Sequence, residues 1–356
     1  MTPVHVHLTG AQWPATAPGG LPRYFADLFA ALRAHPDVRP SAAAFGAPDQ
    51  GGTSWGADSG TTAARVRASR RRAPSGTEVL DRHFALFGPA PRGAALVTHF
   101  HGPWALESDA AGESRAAVAA KTLVERARYR GSDRFVVLSE AFAEVLVDRY
   151  DADRGTIAVI PPGVDLTRFP EAGEPATDGP PRVLCVRRLE RRMGVDVLLD
   201  AWRGVLAEHP EARLDVVGTG SQAVPLAERA AELGVAATVT FVGAVDDAEL
   251  ARRYAAATVT AVPSRSWEGF GLVALESLAS GRAPVVTDAG GLPDGVRGLA
   301  PGLVVPAGDA EALAARLVRA LAGDRPSAAA CRAHAETFTW AAAAERHAAL
   351  YRALAS

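Results

Sequence analysis

An α/β protein of two Rossmann-like domains with parallel sheets is predicted by three observations. In the second half, strand-like runs recur at 183–186, 214–217, 239–242, 258–262, 284–287 and 303–305, with helix-length segments between them. Alternation at that spacing means a parallel sheet covered on both faces. The first half opens on the same unit: a strand over 4–8, a loop over 9–18 running into Gly19 and Gly20, and an amphipathic helix over 21–34. Between the halves the composition shifts to Glu, Pro, Gly and Asp, which marks a linker. The expected division is 1–172, a linker over 173–181, a second domain over 182–337 and a terminal helical segment over 338–356.

The 356 residues suffice for about two domains with ample core. A formal net charge of -2 gives no reason to expect a nucleic-acid partner. Lys121 is the single lysine among 38 basic residues, a bias that says little about function. Cys185, in a predicted strand, and Cys331, in a late helix, read as buried hydrophobes rather than a disulfide or metal pair. No charged-then-apolar leader and no membrane-spanning run is found, so a soluble, cytoplasmic protein is expected.

Along the first half, His5 and His7 alternate with apolar residues and share one side of their strand. They read as hydrogen-bonded imidazoles or, alternatively, metal ligands. Residues 46–62 read as a loop, and Arg65, Arg67, Arg70, Arg71 and Arg72 after it as a solvated basic cluster or a grip for an acidic acceptor or anionic membrane surface. A strand over 95–98 runs into His99, Phe100, His101, Gly102, Pro103 and Trp104, placing polar groups at the carboxyl edge of a sheet, where open α/β folds bind ligands. His99 and His101 share a face, but no third metal ligand is in view. Helices are expected over 115–130 and from the N-cap Ser139 to 150, strands over 135–138 and 157–160. Asp151, Ala152, Asp153 has the form of a metal-binding DxD, yet its place after a helix and before Gly155 favours a helix-exit turn. Gly218, Thr219, Gly220 is a lone GxG that lacks the rest of a dinucleotide fingerprint.

The stretch over 264–281 carries the strongest chemical signal. Glu268 and Glu276 bracket a turn of Gly269, Phe270 and Gly271 and the helix that Leu272 begins. Leu272, Leu275, Glu276 and Ala279 fall on one helical face, so a glutamate sits on an apolar stripe. Burying an unpaired carboxylate costs roughly several kcal/mol, so Glu276 either finds donors inside the fold or takes them from a ligand such as a ribose diol. The two glycines let backbone amides approach an anion at a helix N-terminus. Asp246 with Glu249, and Asp309, read as caps of later helices.

In this order the residues resemble the retaining nucleotide-sugar glycosyltransferases of the GT-B fold, glycosyltransferase family 4. The resemblance runs over nearly the whole chain: Gly19 and Gly20; the run from His99 to Gly102; Pro161, Pro162, Gly163, Val164 and Asp165 with Phe169; Arg188, Leu189 and Gly194; Glu268 to Glu276; and Gly290, Gly291, Pro293 and Asp294. It implies two parallel sheets facing across a cleft, a terminal helix returning to the first domain, and a nucleoside-diphosphate sugar as donor with no cofactor and no metal. By resemblance Glu268 contacts the donor sugar, Glu276 the ribose, the amides of Gly269, Phe270, Gly271 and Leu272 the diphosphate with Arg188, and Val245 the base. His101 lies near the reacting centre and Gly20 near the phosphates. The family's lysine before the glycine is Met193 here, with Arg192 preceding it, so Arg192 is expected to take that role. A small-molecule or lipid-linked acceptor is implied, with peripheral membrane contact not favoured. A nucleotide-sugar epimerase or hydrolase, or a non-catalytic binding protein, are the other functions such a scaffold allows.

Overall fold

A computed structural model describes residues 2–16, 19–48, 50–110, 112–176 and 178–355. Ala17 and Pro18, at the end of the expected 9–18 loop, and Thr177, within the expected linker, lie outside the described residues. The chain divides into two compact units, Met1–Gly163 with Trp340–Ser356, and Val164–Thr339, so residues 173–181 fall inside the second.

The first unit contains β1 (Val4–Gln12), α1 (Gly20–Ala34), β2 (Val38–Phe45), β3 (Thr53–Ser54), α2 (Thr62–Ser69), β4 (Val79–Arg82), β5 (Ala95–His99), α3 (Trp104–Ala110), α4 (Arg115–Tyr129), β6 (Arg134–Val137), α5 (Glu140–Tyr150) and β7 (Ile157–Val159). The second holds β8 (Arg182–Val186), α6 (Val195–Glu208), β9 (Arg213–Val217), α7 (Ala223–Glu232), β10 (Val239–Gly243), α8 (Asp247–Ala256), β11 (Val259–Val262), α9 (Leu272–Ala279), β12 (Pro284–Thr287), β13 (Val304–Val305), α10 (Ala310–Leu321) and α11 (Ala328–Ala335). The last helix, α12 (Trp340–Ala355), belongs to the first unit, where it packs on α1, β1 and β4.

Both sheets are parallel and doubly wound, in the orders β3-β2-β1-β4-β5-β6-β7 and β10-β9-β8-β11-β12-β13. In each, the strand order reverses once, between β1 and β4 and between β8 and β11. At such a point the loops after neighbouring strands diverge and leave a crevice at the carboxyl edge. The buried face of α6 shows how sequence makes these layers: Val195, Leu198, Leu199, Trp202 and Val205 recur at helical spacing and pack on Val183, Cys185, Leu214 and Val216 of the sheet. Cys185 and Cys331 are both free and buried.

The structure corrects several expectations in the first unit. β1 continues to Gln12 instead of ending at residue 8, because pairing with β2 carries through Thr9 and on to Gln12. Gly10 within it is required by packing: a Cβ there would lie 2.9 Å from the Phe25 ring. Arg65 and Arg67 belong to α2 rather than a loop. Thr61 caps this helix by accepting from the Ala64 amide, and Arg65 pairs with Asp58 at 2.6 Å while lying over the Phe45 and Phe87 rings. The caps Ser139, Asp246 and Asp309 accept from the backbone amides expected of them, and Asp153 closes the turn after α5 by accepting from the Gly155 amide.

Candidate active site

The second unit places two chemically active segments side by side. Arg187 directly follows β8, and Ser264 and Glu268 follow β11; these are the two strands that flank the order reversal. The Arg187 guanidinium donates to both the Ser264 hydroxyl and the Glu268 carboxylate, and the Ser264 hydroxyl donates to Glu268 at 3.1 Å. Burial alone would raise the Glu268 pKa, but the charges of Arg187 and Arg192 with the Arg187 and Ser264 hydrogen bonds outweigh it and hold the carboxyl below its usual range. Glu268 is therefore an ionised carboxylate, its side chain 16% exposed, at the carboxyl edge of the sheet.

Close backbone packing fixes this geometry. The residue before Glu268, Trp267, has a left-handed backbone (φ 50°), a conformation that costs on the order of 1–3 kcal/mol and persists only where its surroundings enforce it. The Glu268 carbonyl accepts from the Gly291 amide at 2.8 Å, and a Cβ on Gly290 would come within 2.3 Å of that carbonyl. Gly218 and Gly220 similarly lie under the Arg187 and Leu189 carbonyls, so the lone GxG serves to seat the loop after β8.

Arg192 sits in a single 3-10 turn, Arg191–Met193, with its guanidinium donating to the Trp267 carbonyl at 3.4 Å. Met193 is buried, pointing its side chain into the core. Gly194 ends the turn at φ 69°, where a Cβ would lie 1.9 Å from the Pro263 carbonyl oxygen. Arg188 is exposed, and its charge and that of Arg192 both act on Glu190. Val245, half-buried, lies in the connection from β10 to α8.

Gly271 caps α9 in the left-handed conformation (φ 84°), and Leu272 begins the helix as the sequence predicts. Gly269 is half-buried, whereas Phe270 is buried against Phe338. Glu276 is only 6% exposed, and the Tyr254 hydroxyl donates to its Oε2 at 3.1 Å. So the fold itself supplies one donor to the glutamate on the apolar stripe.

His101 and Gly20 belong to the first unit. Gly20 is the exposed first residue of α1. His101 lies half-buried after β5, its Nε2 3.2 Å from Nδ1 of His83, which follows β4. The third imidazole that the spacing of His99 and His101 did not reveal is thus His83: nitrogens of all three lie within 4.8 Å of one another. Beside them Asp81, fully buried, accepts from Tyr351 of α12 and faces His99 Nε2 at 3.2 Å. Burial opposes the Asp81 charge, but His99 and His83 beside it outweigh this and keep it ionised. Burial pushes His99 down to about 3, Asp81 pulling the other way, and pushes His101 well below its ordinary value. The His83 and His99 rings are stacked, centroids 3.8 Å apart and 20° from parallel. His7 is unrelated to this cluster: it meets the Ser41 hydroxyl at 2.8 Å.

Sequence pattern alone missed Arg187, Tyr254, Asp81 and His83. The signal for Arg187 was present as a second arginine directly after a strand; for His83 it was a histidine directly after the short strand β4.

Comparison with known proteins agrees with this architecture. The family described as Glycosyltransferase Family 4 matches residues 18–168, and that described as Glycosyl transferases group 1 matches residues 170–338. The chain is 39% identical over 232 residues to the D-inositol 3-phosphate glycosyltransferase of Nocardia farcinica, covering 60% of this chain and 51% of that protein. It is 35% identical over 285 residues to that of Acidothermus cellulolyticus, covering 73% and 63%. It therefore spans between about half and two thirds of the length of these relatives. Among solved structures, a sucrose-phosphate synthase from Thermosynechococcus elongatus superimposes with a TM-score of 0.77 at 26% identity, covering 99% of both chains. WaaG, a glycosyltransferase involved in lipopolysaccharide biosynthesis, has the same fold, with a TM-score of 0.76 at 19% identity over 97% of this chain and 99% of its own. With two parallel-sheet units, an ionised glutamate at the second unit's order reversal and two consecutive family matches, this chain belongs to glycosyltransferase family 4, with the GT-B fold.

Proposed function

We propose that this chain transfers a sugar from a nucleoside-diphosphate sugar to an acceptor hydroxyl, with retention of anomeric configuration and without a metal. The observation that carries the reading is Glu268, ionised and held by Arg187 and Ser264 beside the N-terminus of α9, at the point where an open parallel sheet binds ligands. Glu268 contacts the donor sugar, and its position next to the strained Trp267 fixes it for that task. The amides of Gly269, Phe270, Gly271 and Leu272 face the diphosphate. A helix terminus contributes only about 0.3–1 kcal/mol, reaching ~2 in buried geometry, so most of the stabilisation of the negative charge that develops on the leaving group must come from arginines. Arg188 and Arg192 supply it. Glu276, held by Tyr254, takes the ribose diol, and Val245 the base.

His101 and Gly20 contribute from the first unit, His101 as a neutral imidazole near the reacting centre. In the retaining reaction the acceptor oxygen bonds to the anomeric carbon, the bond to the diphosphate breaks on the same face, and the acceptor's proton passes to the departing phosphate. The acceptor is a small molecule or a natural-product or glycan intermediate. A polyol phosphate is the first acceptor to assay, because the relatives described above are named D-inositol 3-phosphate glycosyltransferases.

The test is a panel of nucleotide sugars incubated with the purified chain and scored by mass spectrometry, with and without cyclitol, cyclitol phosphate, nucleoside and polyprenyl acceptors. A glycoside whose formation needs the acceptor supports the proposal. Free sugar or an epimer as the only product points to a hydrolase or epimerase on this scaffold, and donor binding without consumption to a binding protein.

A further inference from the structure

We propose that the first unit carries a second ligand site, a basic cavity between the end of α2, the β4–β5 link and the end of α4, that binds the phosphoryl group of a phosphate ester. The cavity has a volume of ≈ 690 Å³, within the range of small-molecule sites. Arg70, Arg72, Arg92 and Arg128 line it together with Ser75 and Thr77, and no aspartate or glutamate is found among its described lining residues. Four guanidinium groups from three separate segments are thus gathered around one space without a protein carboxylate in its wall. Arg70 caps the end of α2, Arg72 follows in the link to β4, Arg92 comes from the link between β4 and β5, and Arg128 from the last turn of α4.

The walls are built rather than incidental. Arg128 donates from Nε to the Ala85 carbonyl at 2.6 Å and from its second terminal nitrogen to the Phe87 carbonyl at 3.0 Å, which ties α4 to the β4–β5 link. Arg82, 2% exposed, donates to the Arg128 and Pro89 carbonyls and leaves its buried Nε without a partner. Arg92 is held in a left-handed backbone conformation, φ 38°. Burial and the charge of Arg70 both depress the Arg128 pKa; burial and Arg128 bring Arg82 down to about 9. Like charges packed this closely repel one another, and an anion in the cavity relieves the repulsion. Arginine also matches a phosphoryl group in geometry, with paired donors in a rigid fork.

Part of the lining lies at the amino edge of the sheet. Thr77 and Ala94 immediately precede the amino ends of β4 and β5, whereas His83 and His101 follow their carboxyl ends. The wall also includes Gly88 and Pro89 from the link after β4, and Pro89 accepts from Arg82, the last residue of that strand. None of the residues that line the cavity is among those given a part in sugar transfer, so this inference does not depend on that reading.

Calorimetric titration of the full chain with inorganic pyrophosphate tests it, comparing the unmodified protein, the double variant Arg70→Gln with Arg72→Gln, and Arg188→Gln. Arg70 and Arg72 are both exposed, so the double variant should melt as the parent does. The expected result is a binding event that weakens tenfold or more in the double variant and persists in Arg188→Gln. Competition with phosphatidylglycerol vesicles then identifies the source: displacement of pyrophosphate means a lipid headgroup, no displacement a soluble phosphate ester. No pyrophosphate event, an event that depends on Arg188 alone, or arginine-dependent vesicle binding with no pyrophosphate event overturns the proposal.

Discussion

Arg187 and Glu268 form an ion pair across 81 residues of sequence, joining the loop after β8 to the loop after β11 with the Ser264 hydroxyl on both. Removing the cation leaves a largely buried carboxylate with only the Ser264 hydroxyl and the Arg192 charge to hold it, a loss of up to about 3–5 kcal/mol. Arg187→Ala should therefore lower the melting temperature and turnover together. Adding Glu268→Gln removes the unpaired charge, so the double variant should regain part of the stability and none of the activity. Strictly additive melting shifts in the two variants and their combination would show that the pair is not coupled.

At the position of the family lysine, structure separates two neighbours by direction. Met193 is buried, while the Arg192 guanidinium reaches the Trp267 carbonyl and lowers the Glu268 pKa. Arg192→Ala is expected to cut kcat at least tenfold with little change in melting temperature. Met193→Leu, which conserves volume, should cost under about 1.5 kcal/mol and leave kcat near the parent value. A kcat loss confined to the Met193 change would overturn the role given to Arg192.

Metal dependence gives a direct check on the arginine-based leaving-group chemistry. Turnover should be unchanged after dialysis against excess EDTA and should not rise on adding magnesium or manganese. Loss of activity in EDTA with recovery on metal would sink the metal-free mechanism.

Stability should fall with pH well above the carboxylate range, because burial lowers the histidines of the first unit: His99 to about 3, His7 and His347 to about 4. Each binds a proton more readily when unfolded, so its contribution is complete above the unfolded value near 6.5 and is lost as pH falls towards the folded value. At pH 5 the loss is on the order of 2 kcal/mol for each fully buried histidine, from about 1.4 kcal/mol per pH unit. Denaturant midpoints measured from pH 7.5 to 5 should decline, and less steeply in His7→Gln. A flat profile over that range would contradict the burial of these imidazoles.

Much of the fold could be read from sequence because its signals are local. Asp246, Asp309 and Ser139 cap helices through amides three residues on, and β-branched runs such as 284–287 form strands with unchanged limits. β2 escaped notice because its Pro-Ser-Ala-Ala-Ala core lacks strand formers. It is a strand because it pairs with β1, and tertiary pairing overrides alanine's helical preference.

The sequence by itself determined the α/β class, the glycine turn between Glu268 and Glu276, and the helical face that buries Glu276. Each depends on residues within one or two turns of each other. Only the tertiary structure decided that Arg187, rather than its neighbour Arg188, grips Glu268. Successive residues after a strand point to opposite sides, so the choice depends on how β8 is registered against β11, Val259 beside Val183 and Thr260 beside Leu184. The same holds for His83 meeting His101 and for the four arginines around one cavity. These contacts are made by loops that lie far apart in the chain, and their distances are set by sheet order and packing, which no local spacing encodes.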